Sequence, residues 1–301
     1  MVRGTLVVVG GPTASGKTAL AAALAARLGT EVISADARQF YGAMRIGTAR
    51  PTADELLGVP HHFLGHLDLE ETWSAGRFAR AAEPVLQRLL TEQGRAVLVG
   101  GSGLYLDAVI KGFDPLPEAD EALRSRLRER VQREGLRSLV DDLARLDPAT
   151  AERIDARNPQ RVLRALEVCL LTGRPFSEQR HAPQHRTDMD IVRVALHPTR
   201  PVLYARIDAR VDAMMAAGLL DEARSLLPHR HLTALNTVGY KELFQHLDGT
   251  LTLARAVDRI KQHTRNYAKR QLTWLRRDPG WVLVEATDTA DGVEQVLRLL
   301  P

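Results

Sequence analysis

The stretch Gly11-Pro-Thr-Ala-Ser-Gly-Lys-Thr18 decides the fold of this chain. It matches the pattern G-x-x-x-x-G-K-[ST], in which backbone N–H groups freed by glycines converge on phosphate oxygens. The β-rich run Thr5–Val9 precedes it, and the helix-forming run Ala19–Leu28, which ends at Gly29, follows it. A strand, a glycine-rich loop and a helix in this order predict a cradle for a diphosphate or triphosphate at the helix N-terminus. The residues expected to bind phosphate are Gly11, Pro12, Thr13, Ala14, Ser15, Gly16, Lys17 and Thr18, with the Thr18 hydroxyl also able to hold Mg²⁺.

Further short apolar runs continue the alternation of strands and helices. Candidate strands occupy Glu31–Ala35 and Ala96–Val99, and two more follow late in the chain at Ile191–Leu196 and Trp281–Val284. Because helical segments separate the early strands, the pattern predicts βαβ units and a parallel sheet. The fold class we expect is α/β, with a P-loop NTPase-like parallel core and helices on both of its faces.

The middle of the chain has a different pattern. Apolar residues recur four apart within Asp120–Glu134, as expected for an amphipathic helix, and a second helix is predicted over Asn158–Gly173. No strand is predicted in this region. We therefore expect an all-helical insertion domain at residues 115–189, within a core formed by residues 1–114 and 190–301.

The composition is that of a globular protein, since 45% of the 301 residues are hydrophobic and 26% are charged. No apolar run approaches the ~18 residues of a membrane span, and the run at the N-terminus is too short for a secretory signal. The single cysteine, Cys169, excludes an intrachain disulfide and a multi-cysteine metal site. We expect a cytoplasmic, monomeric protein that does not associate with membranes.

Two further segments are predicted to lie beside the phosphate cradle, because ligands bind beyond the carboxyl ends of parallel strands. Asp36 ends the second candidate strand and is a candidate metal-associated group or general base, with a helix N-cap as the alternative. Ser102, in Gly100-Gly-Ser-Gly103, can donate a hydrogen bond to a phosphate oxygen or can be an ordinary turn hydroxyl. A P-loop NTPase usually has a strand ending in Asp where this chain has Gly-Gly-Ser, which argues mildly against simple nucleotide hydrolysis.

A run of basic residues marks the predicted helix near the C-terminus. Between Arg259 and Arg277 there are seven Arg or Lys residues and no Asp or Glu. Lys261, Arg265 and Lys269 follow one another at four-residue spacing, and Arg276 continues that face. This cationic stripe fits a nucleic-acid backbone. The alternative is that acidic residues elsewhere in the fold neutralise it.

The insertion offers a second candidate anion site. Arg161 and Arg164 lie three residues apart and project from neighbouring positions of the predicted helix. Together they can clamp a phosphate group. The alternative is an ion pair between Arg164 and Glu167, which is three residues further on.

Taken together, these residues resemble a known family, the bacterial tRNA dimethylallyltransferases. The resemblance covers nearly the whole chain and rests most on Thr264-Arg-Asn-Tyr-Ala-Lys-Arg-Gln-Leu-Thr-Trp274, which no generic P-loop kinase is expected to have. Other matching segments are the phosphate loop, Ser34–Gln39, Ile46–Ala49, Pro60–His62, Gly100–Tyr105, Asn158–Glu167, Thr172-Gly173 and Val238–Tyr240.

The resemblance implies transfer of the dimethylallyl group from dimethylallyl diphosphate to the N6 amine of the adenosine just 3′ of a tRNA anticodon. Diphosphate leaves, so the P-loop would hold the leaving group, with Mg²⁺ as the cofactor. Asp36 matches the family's catalytic aspartate and is expected to act as the general base. Lys17, Ser102 and Arg124 complete the expected catalytic set, in which Lys17 and Arg124 stabilise the departing diphosphate.

The resemblance also implies that a tRNA anticodon stem-loop binds between the core and the insertion. The residues expected to contact it are Asp36, Ala37, Arg38, Gln39, Ser102, Arg124, Gln160, Arg161, Val162, Leu163, Arg164, Arg265, Lys269, Arg270 and Arg276. The chain departs from the family pattern at Ala37, where Ser is usual, at Arg38, where an apolar residue is common, and at Arg50, which replaces Lys. The absence of a hydroxyl at Ala37 affects this contact set more than the family assignment.

Three other functions remain open from the residues alone. A small-molecule or nucleotide kinase would use the same P-loop with ATP, but would leave the insertion and the basic helix without a role. An enzyme that prenylates free AMP or ATP would share the chemistry without the RNA. A non-catalytic RNA-binding protein with a relic P-loop would explain the basic helix, but not Asp36 beside an intact phosphate cradle.

Overall fold

The computed structural model describes residues 4–112, 116–180, 186–286 and 288–301. Its strands are β1 (Thr5–Gly10), β2 (Val32–Ser34), β3 (His61–His62), β4 (Arg95–Gly100), β5 (Asp190–Leu196) and β6 (Val282–Val284). They form one sheet in the order β3-β2-β4-β1-β5-β6, and every neighbouring pair is parallel. The predicted α/β class with a parallel sheet is confirmed.

The strands alternate with helices along the chain. The α-helices are α1 (Lys17–Leu28), α2 (Ala75–Gln93), α3 (Gly103–Ile110), α4 (Glu121–Glu134), α5 (Leu136–Leu146), α6 (Pro148–Arg153), α7 (Pro159–Thr172), α8 (Arg200–Ala216), α9 (Leu219–Leu226), α10 (Tyr240–Leu247), α11 (Leu253–Leu275) and α12 (Thr289–Leu297). Across the described ranges, no helix combines the length and the apolar character that crossing a bilayer requires.

Apolar side chains cover both faces of the sheet, because successive residues of a strand point to opposite sides. Val7 and Val9 of β1 belong to one apolar cluster with Leu20 of α1. Val8, between them, belongs to the cluster on the other face, together with Phe78 of α2. The sheet is therefore buried between two layers of helices, and its carboxyl edge is left for the loops.

The chain divides into two compact units, one formed by residues 1–111 and 185–301 and the other by residues 112–184. We call the second the helical unit, since its described residues form α4–α7 and no strand. Leu127, Leu139 and Leu166 lie at the centre of its core. The boundaries predicted from the sequence were 114/115 and 189/190.

Glu167 is a buried carboxylate in the middle of the helical unit, with no exposed surface. It accepts hydrogen bonds from Arg124 Nε at 2.8 Å, from Arg164 NH1 at 2.7 Å and from the N–H of Asp120 at 2.9 Å. Burial alone would raise the pKa of Glu167, but these hydrogen bonds outweigh it and lower the pKa below its ordinary value of 4.5. Glu167 is therefore ionised at neutral pH and links α4 to α7.

We expect Glu167→Ala to destabilise the helical unit by roughly 2–3 kcal/mol, less than a fully buried pair would lose because the arginines are partly exposed. Since the pKa of Glu167 is lowered in the folded state, this contribution is present at neutral pH and is lost as the pH falls below 4.5. Hydrogen-exchange protection of the α4 and α7 amides measures the change. Glu152→Ala, at an exposed position of α6, is the control, and equal protection in both variants would contradict the prediction.

Candidate active site

The phosphate loop between β1 and α1 has the geometry of an anion cradle. Gly16, at the start of α1, has a φ of 93°, a left-handed value that favours glycine. The Ser15 hydroxyl is buried and has no hydrogen-bond partner within the described part of the chain. Buried polar atoms normally have a partner, and a phosphate oxygen at the helix N-terminus is a suitable one.

Lys17 contributes a cation whose charge depends on pH. Its Nζ donates to the carbonyl oxygen of Pro12 at 3.4 Å. Burial lowers the pKa of Lys17 from 10.5 to about 8, while the negative charge of Asp36 opposes the shift and the positive charge of Arg210 adds to it. A bound anion would favour the protonated form of Lys17.

Asp36 and the phosphate loop line the same cavity, which has a volume of about 390 Å³. The lining includes Lys17 and Thr18 on one side and Asp36 beyond the end of β2. Asp36 Oδ1 accepts a hydrogen bond from the N–H of Arg38 at 3.1 Å. No α-helix begins at this point in residues 36–52, so the N-cap alternative for Asp36 does not apply. The structure thus brings together the predicted general base and the predicted phosphate site.

The loop Gly100–Gly103, which follows β4, is held against one face of α11. Tyr267, Gln271 and Trp274 share this face because they are spaced i, i+4 and i+7. A Cβ atom added at Gly101 would overlap the Gln271 amide, and one added at Gly103 would overlap the Trp274 indole. The close approach of the helix therefore requires glycine at these two positions.

Tyr267 is a site residue that the sequence analysis did not single out. Burial raises the pKa of its hydroxyl to about 12, the charge of Asp36 acts in the same direction, and a hydrogen bond with Ser102 acts in the opposite one. The Tyr267 hydroxyl is therefore protonated at neutral pH and able to donate. Ser102, predicted from the loop sequence, is its neighbour, and the charge of Asp36 acts on the same Tyr267 hydroxyl.

Arg210 of α8 is a second cation at the cavity that the sequence analysis missed. It lines the cavity together with Glu55. Burial lowers the pKa of Arg210, and the negative charges of Glu55 and Asp36 oppose that shift. The four-residue spacing of Leu203, Ile207 and Val211 could have predicted α8, but no local pattern indicates that Arg210 faces the phosphate loop.

A polar cluster around Glu222 fixes the segment that forms another wall of the cavity. The carboxylate of Glu222 accepts hydrogen bonds from the N–H groups of Arg45, Ile46 and Gly47 at 3.0, 2.7 and 2.9 Å. The hydroxyl of Tyr240, a fully buried residue, donates to the same carboxylate at 2.6 Å. These four bonds place the following residues, 48 and 49, at the cavity.

Two predicted RNA-binding residues near Asp36 use their donors inside the protein. Arg38 NH1 donates to the carbonyl oxygens of Thr233 and Ala234 at 3.1 and 3.0 Å. Gln39 Nε2 donates to the carbonyl oxygens of residues 48 and 49, both at 3.1 Å. Ala37, between neighbours Asp36 and Arg38, is half-buried. Contact of these residues with RNA stays a prediction.

The cationic stripe of α11 divides into paired and unpaired parts. Lys261 Nζ lies 2.6 Å from Asp212, and Arg265 NH1 lies 2.5 Å from Asp208. Both acids are on α8, so for these two cations the alternative of neutralisation within the fold holds. The predicted contact between Arg265 and tRNA stays a prediction.

The remaining basic residues at the end of α11 are exposed. Lys269 forms no salt bridge with any residue the structure describes, and Arg270 lies over the Tyr267 ring at 5.7 Å. Arg276 NH2 is 3.4 Å from His197 Nε2. Lys269 and Arg276 of the stripe, and Arg270 beside it, are therefore basic residues that an external polyanion can reach.

The other predicted residues belong to the helical unit. Arg124 and Arg164 both bind Glu167, as the alternative for Arg164 anticipated. Val162 has no exposed surface and Leu163 is 9% exposed, and both side chains pack in the core of the helical unit; their predicted contacts with RNA stay predictions. Gln160 and Arg161 are exposed, and their RNA contacts stay predictions.

The sheet order and the phosphate loop place the protein among the α/β proteins that bind phosphate groups at the carboxyl edge of a parallel sheet. A family model described as IPP transferase matches residues 39–278. The chain belongs to the IPP transferase family, and the family and enzyme class predicted from the sequence are confirmed.

Known proteins are similar to this chain in sequence and structure over nearly its full length. The chain is 44% identical over 274 residues to tRNA dimethylallyltransferase 1 of Bacteroides thetaiotaomicron, which covers 91% of this chain and 89% of the relative. The crystal structure of a tRNA isopentenylpyrophosphate transferase from Bacillus halodurans is 38% identical, with a TM-score of 0.70 and 99% of each chain covered. A eukaryotic dimethylallyltransferase studied in crystals while acting on tRNA is 25% identical, with a TM-score of 0.80, and covers 95% of this chain and 75% of its own.

We expect the affinity for inorganic diphosphate to fall as the pH rises through about 8, because Lys17 then loses its proton. In Lys17→Met, binding near neutral pH should be weaker by roughly tenfold or more and should lack this component of the pH dependence. Calorimetric titrations at a series of pH values measure these affinities. The ratio of the wild-type affinity to the variant affinity at each pH cancels the effect of protonation of the diphosphate itself. Lys111→Met, which lies outside the cavity lining, is the control, and parallel profiles for wild type and Lys17→Met would exclude this role.

Proposed function

We propose that this protein transfers the dimethylallyl group from dimethylallyl diphosphate to the N6 amine of the adenosine 3′ of a tRNA anticodon, with release of diphosphate. The observation that carries the proposal is the shared cavity, where Asp36 faces the same space as Lys17 and Thr18. One side of that space suits an anionic leaving group, and the other offers a base to the attacking amine. The similarity to tRNA dimethylallyltransferases supports this choice of substrates.

The diphosphate would bind at the N-terminus of α1. As the bond between the allylic carbon and oxygen breaks, negative charge accumulates on the diphosphate. The Lys17 ammonium and the N–H groups of the phosphate loop would stabilise that charge. Arg210, which lines the same cavity, supplies a further positive charge from α8. Arg124 already donates to Glu167 through Nε and NH2. The role predicted for Arg124 would therefore use its remaining nitrogen, NH1.

Asp36 would remove the proton from the amine. The exocyclic amine of adenine is a weak nucleophile because its lone pair is delocalised into the ring, and loss of a proton as the C–N bond forms raises its reactivity. The hydrogen bond from the N–H of Arg38 orients the Asp36 carboxylate. The adenosine must leave the stacked anticodon loop to reach Asp36, as bases do in other base-modifying enzymes. Ser102 and Tyr267 would then offer hydroxyl groups to the base.

Magnesium fits the donors at the phosphate end of the cavity. The Thr18 hydroxyl and the Asp36 carboxylate, both in the lining, are oxygen donors, and Mg²⁺ bound with a diphosphate commonly takes only one or two protein ligands. Within the described ranges, no group of three or more acidic, His or Cys residues could hold a metal by themselves. Thr18 would therefore hold Mg²⁺ jointly with the diphosphate, and the ion would supply additional charge neutralisation for the leaving group.

We expect labelled dimethylallyl diphosphate and Mg²⁺ to label unmodified tRNA, while AMP stays unlabelled. Asp36→Asn should lower the turnover by roughly 10²–10⁴-fold because it removes the base, and should leave the tRNA dissociation constant nearly unchanged. Asp68→Asn, outside the cavity lining, is the matched control. Label in AMP alone would identify a free-nucleotide enzyme, ATP turnover without prenyl transfer would identify a kinase, and a comparable loss of binding in Asp36→Asn would make Asp36 a recognition residue.

We also expect the exposed end of the α11 stripe to contribute to tRNA binding. Lys269→Ala should reduce the slope of log affinity against log salt by about 0.7–1, as for one lost phosphate contact. Lys261→Ala is the matched control, because Lys261 is already paired with Asp212. The slopes come from binding titrations at several salt concentrations, and an unchanged slope in Lys269→Ala would place the RNA on another surface.

A further inference from the structure

The side-chain amide of Gln271 joins the phosphate loop to the loop that contains Ser102. Its Oε1 accepts a hydrogen bond from the backbone N–H of Thr13 at 2.8 Å. Its Nε2 donates to the carbonyl oxygen of Gly101 at 2.9 Å. Gln271 is 7% exposed, and both of its partner residues are half-buried. One side chain on α11 thus connects the ends of β1 and β4.

The space around this amide is closely filled. A Cβ atom at Gly101 would overlap Gln271 Nε2 and would lie 3.4 Å from Lys17 Nζ. The Gln271 amide and the Lys17 ammonium therefore both lie beside Gly101. The N–H of Thr13 is also directed to Gln271, so it orients the phosphate loop and is not a free donor to phosphate.

Few side chains can make both contacts. The bridge needs an acceptor for Thr13 and a donor for Gly101, which only a side-chain amide provides at this position. Asn would be one methylene too short, an ionised Glu would lack the donor, and Met would lack both groups. Each change would leave a half-buried backbone group of Thr13 or Gly101 without its side-chain partner, which is costly.

We propose that Gln271 is a positioning residue for prenyl transfer, which fixes the separation between the diphosphate-binding loop and the Ser102 loop. The inference rests on the proposed function. With the Gln271 amide bridging the two loops, the diphosphate leaving group and the Ser102 hydroxyl would keep a fixed separation. The alignment of reacting groups is sensitive to displacements of about 1 Å. Gln271 itself contacts neither reacting atom in this assignment.

The first test compares the isosteric variants Gln271→Met and Gln271→Glu with Gln262→Met and Gln262→Glu, at an exposed position of the same helix. We expect Gln271→Met to lower kcat/KM for dimethylallyl diphosphate by roughly 10–100-fold, as two lost hydrogen bonds would. The tRNA dissociation constant should stay within about twofold of wild type. Gln271→Glu should lose more diphosphate affinity than Gln271→Met, because its carboxylate competes for Lys17.

The second test checks the bridge without relying on catalysis. Gly101→Ala should lower the Tm when it is made in the wild-type protein. When it is made in the Gln271→Ala variant, where the added methyl group has space, the fall in Tm should be much smaller. This coupling is the signature of a direct contact. Its absence would overturn the geometry on which the inference rests.

The outcomes separate the two proposals. A folded Gln271→Met with wild-type kcat/KM would overturn the positioning role, and so would an equal loss of diphosphate and tRNA affinity, which indicates general loosening. If the wild-type protein transfers no prenyl group, the proposed function fails. Affinity for inorganic diphosphate then decides the positioning role, since a bridge that orients the phosphate loop must change it in Gln271→Met.

Discussion

Strand β4 lies between β1 and β2 and is hydrogen-bonded to both in parallel, with Gly10 opposite Gly100 and Ser34 opposite Val99. This register makes the three strands end at the same level of one edge. The phosphate loop, the segment beginning at Asp36 and the Gly100–Gly103 loop leave the sheet there. A cradle for an anion, a carboxylate and a hydroxyl therefore meet although they come from three separate stretches of chain. In an antiparallel sheet, neighbouring strands would end at opposite edges, and these groups would not converge.

Helix α11 packs one face against the loops at this edge and uses the opposite face to bind α8. Gln271 and Trp274 pack on the Gly100–Gly103 loop, at two glycines that have no Cβ atom. On the opposite face, Lys261 and Arg265 bind acids of α8. A single helix thus packs against the loop that contains Ser102 and also binds α8, the helix that contributes the cation Arg210 to the cavity.

Local patterns were sufficient for the parts of the molecule that local chemistry determines. Five of the six strands in the described residues, α1, and the helices capped by Asp120 and Asn158 follow from apolar runs, caps and glycines, and the phosphate loop follows from its spacing. Strand β3 (His61–His62) was not predicted, because its two histidines form no apolar run. The convergence of Asp36 and the phosphate loop could also be predicted, because parallel topology alone requires it. The pairing of Arg265 with Asp208 and the placement of Arg210 and Gln271 depend on how distant helices pack, and no sequence spacing encodes that. Val162 is a further case, since the family motif that predicts its contact with RNA does not indicate that its side chain packs in a core.

The carboxylate of Glu222 binds three consecutive backbone N–H groups at residues 45–47, an arrangement that in other proteins would hold a phosphate or sulfate ion. Here the protein supplies its own anion, and the buried Tyr240 hydroxyl secures it. That wall of the cavity is consequently pre-formed before any substrate arrives, and its ordering entropy is spent during folding and not during each catalytic cycle. Any change of cavity shape on substrate binding must then come from other segments. This wall is a rigid surface, and the ligands that bind are those that fit it.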